Sequence, residues 1–131
     1  MHPRFAPIKA VLLSAVLIFV TAAHLQATES VTFEGGGYYI DILMGMADEL
    51  SVARVLFSPP GDGALAELPH EMVRVEKING RKGILILHFV NKGDPKLPKS
   101  FSLAVRKNSG VLTIGGKRVK GSFDWLDEIP K

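Results

Sequence analysis

Residues 71–90 read EMVRVEKINGRKGILILHFV, and this stretch predicts a β-hairpin. The dipeptide Asn79–Gly80 favours a two-residue type I′ turn, because both central residues of that turn need positive φ angles. With such a turn, Val73 would face Ile86 across the hairpin. The second strand, 83–90, is apolar on both faces, so we expect it to lie buried in the centre of a sheet.

Other short apolar segments separated by turn residues flank the hairpin, which is typical of an all-β domain. Residues 38–44 alternate between apolar and polar positions, and residues 101–119 predict an antiparallel meander in which Leu112 faces Val119. The loop 91–99 contains two prolines and is long enough to cross from one sheet to another. We therefore predict an antiparallel β-sandwich of about seven short strands, with a small closed β-barrel as the alternative.

The segment 46–57 fits two structures. Its apolar residues at helical spacing are Met46, Leu50, Ala53 and Phe57. Residues 52–57 are also rich in the β-branched and aromatic side chains that strands prefer. We predict a strand here, and one helix near 46–57 is the alternative.

The first 27 residues have the pattern of a secretory signal peptide. A short basic region precedes an apolar run over 10–20, and small residues follow as far as Ala27. The run ends short of the roughly 20 apolar residues that a membrane-spanning helix needs, so cleavage is expected rather than anchoring. We predict cleavage after Ala27, with Ala23 as the second choice, and a periplasmic or secreted location with no transmembrane anchor after cleavage.

The remaining residues, 28–131, suffice for one β domain and are too few for two. The chain has no cysteine, which excludes disulfides, thiolate metal sites and cysteine catalysis. Small secreted domains of disulfide-forming pathways often carry cysteine pairs, so the composition favours a bacterial exported protein that is stabilised by its apolar core.

The charges are distributed unevenly along the chain. Residues 28–71 hold eight acidic residues and one base, whereas residues 72–131 hold 13 bases and five acidic residues. Since alternating strands keep bases off the core side, several should gather on an outer face or at turn tips. Such a surface would attract an acidic protein, an anionic glycan or a lipid headgroup, and nucleic acid is not expected outside the cytoplasm.

One segment near the carboxyl end interleaves bases with aromatic residues, as some binding surfaces do. The candidate ligand-binding residues are Lys117, Arg118, Lys120 and Trp125. The aromatic side chains Phe123 and Trp125 equally suit closure of one end of the core. The function predicted from these features is a non-enzymatic binding or accessory module that needs no cofactor.

The alternative function is periplasmic copper binding, because thioethers and imidazoles suit Cu(I). The candidate ligands are His70, Met72, His88, Met44 and Met46. The predicted hairpin register places His88 opposite Glu71 and His70 opposite Phe89, so the two imidazoles would point to opposite faces.

A small hydrolytic enzyme is the third prediction. His70 and Glu71 begin a string that resembles HExxH, but Arg74 stands at the fifth position. No serine lies in a GxSxG motif.

Overall fold

The computed structural model describes residues 28–46, 49–61 and 63–125, so the predicted signal peptide 1–27 and its cleavage site lie outside the described residues. The described chain is all-β and contains a single 3-10 turn at His70–Met72 but no α-helix. The nine strands are β1 Thr28–Gly35, β2 Tyr38–Met46, β3 Leu50–Ser58, β4 Ala66–Glu67, β5 Val73–Asn79, β6 Ile84–Phe89, β7 Phe101–Arg106, β8 Ser109–Ile114 and β9 Lys117–Asp124.

All nine strands belong to one antiparallel sheet with the order β4-β3-β2-β1-β9-β8-β7-β6-β5. The sheet curls into a half-barrel, so the prediction of a two-sheet sandwich of about seven strands was wrong. The sheet is not the closed barrel either, because no backbone pairing joins β3 or β4 to β5 in the described part of the chain. These two edges approach each other, and β3 contacts β5.

The loop 91–99 joins neighbouring strands instead of crossing between sheets, because the side chain of Asn91 folds it into a compact turn. The Asn91 Oδ1 atom accepts the backbone N–H of Gly93 at 2.9 Å and that of Asp94 at 2.8 Å. The Nδ2 atom donates to the carbonyl oxygens of Asp94 at 3.0 Å and Pro98 at 2.8 Å. This network returns the chain beside β6, so β7 pairs with it directly.

The hairpin forms where the sequence predicts it, but its register differs. Asn79 pairs with Ile84 across a four-residue connection, and a bulge between Val75 and Lys77 shifts the strand further. Val73 consequently faces Phe89 and not Ile86. The positive φ angle lies at Gly83, at 65°, and not at Gly80.

This turn gives a test of the register. Replacing Gly83 by alanine should cost about 1–2 kcal/mol in the free energy of unfolding, because an L side chain is strained at positive φ. A Cβ atom at Gly83 would also lie 3.0 Å from the Cα atom of Lys107. Gly80→Ala should cost less in the same denaturant titration, and a larger loss for Gly80→Ala would favour the two-residue turn.

The core fills the concave side of the sheet, where alternate residues of β1–β3 and β6–β9 are buried. In β6 the buried residues are Leu85, Leu87 and Phe89, whereas Ile84 and Ile86 are half-buried on the outer face. Strand β6 is also next to the edge strand and not central. The expectation of burial is therefore correct for only one face of this strand.

Two local predictions are confirmed. Residues 50–58 form strand β3, so the helix alternative near 46–57 is wrong for that part of the segment. In the meander, Leu112 pairs with Val119, and the β8–β9 turn is formed by Gly115 and Gly116 at positive φ.

Candidate basic binding face

The strand order separates the acidic and basic parts of the chain. Strands β1–β4 lie together on one side of the sheet and β5–β9 on the other, because β1 pairs with β9. The sequence 28–67 holds seven acidic residues and one base, whereas 73–124 holds 12 bases and three acidic residues. The acidic and basic strands therefore do not interleave, and the sheet has an acidic half, β1–β4, and a basic half, β5–β9.

Backbone pairing brings bases of different strands onto one outer face. One row of partners across the sheet runs Lys77, Ile86, Ala104, Val111 and Lys120. The next row runs Arg74, His88, Ser102, Thr113 and Arg118. With Arg106 of β7, these bases form what we call the basic face: Arg74, Lys77, Arg106, Arg118 and Lys120, all of them exposed.

Aliphatic side chains line the centre of the basic face. A shallow depression of about 410 Å³ is lined by Ile84, Ile86, Ala104 and Val111, with Lys77 and Arg106 beside them. It continues into an open depression toward the β7–β8 turn, where Lys82 and Lys107 add two further bases. Four strand spacings separate Lys77 from Lys120, which is about 19 Å.

The carboxylate of Glu76 reaches the basic face and has a partner on that face. Glu76 sits at the bulge of β5, and its Oε1 atom lies 2.7 Å from Nε2 of His88. The Nδ1 atom of the same ring lies 2.9 Å from Oγ of Ser102. In the described residues, the bases of the face form no ion pair within 4.0 Å. Their charge is therefore available to a ligand.

The other half of the sheet, formed by β1–β4, carries the reverse charge. Glu34 pairs with Tyr39 and Thr32 pairs with Asp41 across β1 and β2, which places two carboxylates beside the Tyr39 phenol. Burial, and then the negative charges of Asp41 and Glu34, raise the pKa of Tyr39 above its usual value. The only base of β1–β4, Arg54, donates to Glu67 at 2.8 Å.

The structure divides the predicted ligand-binding residues into three locations. Arg118 and Lys120 lie on the basic face, whereas Lys117 pairs with the inward-facing Ile114 and lines a cleft at one end of the half-barrel. Trp125 follows the far end of β9, half-buried, with its ring edge-on to Phe123 at 5.0 Å between centroids. Alternation along β9 separates Lys117 from Arg118, and Trp125 does not join either group.

The candidate copper ligands are distributed over both faces of the sheet. Met44 is fully buried in the core, and Met72 is half-buried against it. His88 lies on the outer face, opposite Arg74 and not Glu71 as predicted, while His70 is exposed in the 3-10 turn. Met46 ends β2, and its side chain lies outside the described residues. Among the residues that are described, no group of three or more histidine, cysteine or carboxylate side chains could hold a metal ion.

The HExxH-like string does not form an α-helix. His70 and Glu71 lie in the 3-10 turn, and Arg74 already belongs to β5. A zinc-protease helix places two ligands one turn apart on one face, and this backbone cannot do so.

Sequence reasoning missed the aliphatic floor formed by Ile84, Ile86, Ala104 and Val111. We expected both faces of 83–90 to be buried, so Ile84 and Ile86 were not recognised as part of an outer surface. The bases Lys77 and Arg106 were visible in the sequence only as members of a general excess of positive charge.

No protein-family model, curated protein or solved structure matches this chain. Within the described ranges, the chain has no helix with the length and apolar character needed to cross a bilayer.

Proposed function

We propose that this protein is an exported, non-enzymatic binding module that holds an acidic segment of a partner protein on its basic face. The observation that carries this proposal is the register of β5–β9, which collects five exposed bases around an aliphatic floor. The proposal of export rests on the signal-peptide pattern of residues 1–27.

The floor favours a protein segment over other polyanions. Nucleic-acid bases bind on aromatic side chains, and the floor is aliphatic. An acidic glycan would contact the bases but leave Ile84, Ile86 and Val111 hydrated. An acidic peptide with aliphatic side chains covers both parts of the surface, because burial of apolar area adds to the attraction between charges.

Binding of three probes tests this proposal: a peptide of alternating glutamate and valine, polyglutamate of equal charge, and heparin. We expect the peptide to bind most tightly and its affinity to fall with salt, because exposed charges are screened beyond about 8 Å at physiological ionic strength. The double variant Arg106→Glu, Lys120→Glu should weaken peptide binding by about tenfold or more, measured by isothermal titration calorimetry.

The matched control is Lys96→Glu, Lys99→Glu, which makes the same change of charge in the loop 91–99. This variant should keep most of the affinity for the peptide. An equal loss in both variants would mean that net charge and not the basic face determines binding. Equal affinity for all three probes would contradict a contribution from the aliphatic floor.

The alternative occupant of the basic face is the acidic half, β1–β4, of a second copy of this chain. Sedimentation velocity at low and high salt separates this case from a foreign partner. Salt-sensitive self-association that Arg106→Glu, Lys120→Glu abolishes would assign the face to contacts between copies.

A further inference from the structure

A cleft of about 570 Å³ opens at one end of the half-barrel, away from the basic face. The β1–β2 turn, the connection after β3, the loop 91–99 and the β8–β9 turn meet at this end. We call it the mouth cleft. Its volume falls in the range of about 300–1,000 Å³ that small-molecule sites occupy.

The inner wall of the mouth cleft is apolar and continuous with the core. Tyr38 and Phe57 line it with ring centroids 5.9 Å apart, and the Phe57 ring stacks on Phe101 at 5.2 Å inside the core. Leu97 and Ile114 add aliphatic surface. This wall suits the apolar part of a ligand, which would pack against its aromatic rings.

Leu65 lies at the cleft with 48% of its surface exposed. Leu65 extends the apolar surface of the inner wall to the rim of the cleft. The cleft therefore has both a buried apolar wall and an uncovered apolar rim.

Three lysines surround this apolar surface: Lys96, Lys99 and Lys117. No carboxylate is among the described residues that line the cleft, and Asp62 of the nearby connection lies outside the described residues. None of the three lysines has an ion-pair partner within 4.0 Å in the part of the chain that the structure describes. Ammonium groups at the rim of an apolar cleft attract an anionic head group whose body occupies the cleft.

The loop that carries two of these lysines is already ordered. The four hydrogen bonds of the Asn91 side chain fix its backbone, and Asp94 Oδ1 accepts the N–H of Lys96 at 2.9 Å. Less conformational entropy is then lost when a ligand binds, which favours affinity.

We propose that the mouth cleft binds a small amphiphilic anion, with an alkyl or aryl body against Tyr38 and Phe57 and one carboxylate, sulfonate or phosphate head among the lysines. This site is independent of the basic face, because strand alternation directs Lys117 to the cleft and Arg118 to the outer face. The ligand enters as a monomer from solution.

The experiment compares three probes. Decanoate has both an alkyl chain and a carboxylate, 1-decanol has the chain without the negative charge, and acetate has the carboxylate without the chain. Two-dimensional NMR titration of the full domain should place the decanoate shifts at Leu65, Leu97 and Ile114. Decanoate should bind at least about tenfold more tightly than either partial probe, because only decanoate uses both the lysines and the apolar wall.

The variant Lys96→Glu, Lys99→Glu should weaken decanoate binding about tenfold. Lys99→Glu alone is compared with the matched control Lys92→Glu, which makes an equal change of charge in the same loop at a residue that does not line the cleft. The control should keep the wild-type affinity. Each of three results would overturn the proposal: an equal loss in the control, equal binding of 1-decanol, or shifts that map to the basic face.

A further result would also overturn the proposal: binding to phosphatidylglycerol vesicles without binding to monomeric decanoate. That result would assign the mouth cleft to membrane docking. Failure of the glutamate–valine peptide to bind would leave the mouth cleft unaffected, since the two surfaces are probed by different ligands and no lysine of the cleft belongs to the basic face.

Discussion

Gly121→Ala is expected to lower the free energy of unfolding by about 3 kcal/mol or more, because a single methyl group has no space at this position. A Cβ atom at Gly121 would overlap the carbonyl oxygen of Glu34 and lie 2.7 Å from Cε1 of Phe33. The Phe33 ring is fully buried and covers Gly121 together with its cross-strand partner Gly110. Backbone atoms and a buried ring cannot move aside without breaking the pairing of β1 with β9.

The matched control for this variant is Gly63→Ala, where a Cβ atom would meet nothing within 4 Å. We expect the control to change the free energy of unfolding by no more than about 0.5 kcal/mol. Chemical denaturation of the two variants measures the difference. Equal midpoints would show that β9 can shift away from β1 at little cost, and that the close approach of these strands is not required.

Leu87→Ala is expected to cost about 2–5 kcal/mol, because it leaves a cavity at a site with no exposed surface. Leu87 pairs with Leu103 on the concave side of the sheet. The adjacent variant, Ile86→Ala, should cost about 1 kcal/mol, because this side chain is half-buried on the outer face.

These two substitutions in one strand test which face of β6 carries the core. Both variants are measured by denaturant titration at the same pH and salt concentration. A larger loss for Ile86→Ala than for Leu87→Ala would contradict the placement of the core on the Leu87 face of β6.

Much of the fold follows from local patterns in the sequence. Alternation of apolar and polar residues predicted β2, β7 and β8, and Gly115–Gly116 predicted the β8–β9 turn with Leu112 facing Val119. The register of the β5–β6 hairpin did not follow from its turn residues. The observed register has a bulge before Lys77 and a positive φ angle at Gly83, and no local pattern in the sequence marked either of them. The Gly83 carbonyl also accepts the backbone N–H of Lys107 from the β7–β8 turn, at 2.6 Å.

The positively charged residues of the candidate sites were recognisable, but their grouping was not. Lys117, Arg118 and Lys120 are close in sequence, and alternation along β9 directs Lys117 into the mouth cleft and the other two onto the basic face. Arg106 belongs with Lys120 only because β7, β8 and β9 lie side by side.

The sequence by itself determined the all-β class, the strand character of 50–58 and the excess of bases after residue 72. Only the tertiary structure decided that one sheet forms instead of two, and that its acidic strands lie together in one half of the sheet and its basic strands in the other. The decisive pairing is that of β1 with β9, in which Phe33 meets Phe123 from the far end of the described chain. Strand periodicity is a property of neighbouring residues, whereas the choice of a strand's partner depends on packing between distant segments, and no local pattern records that choice.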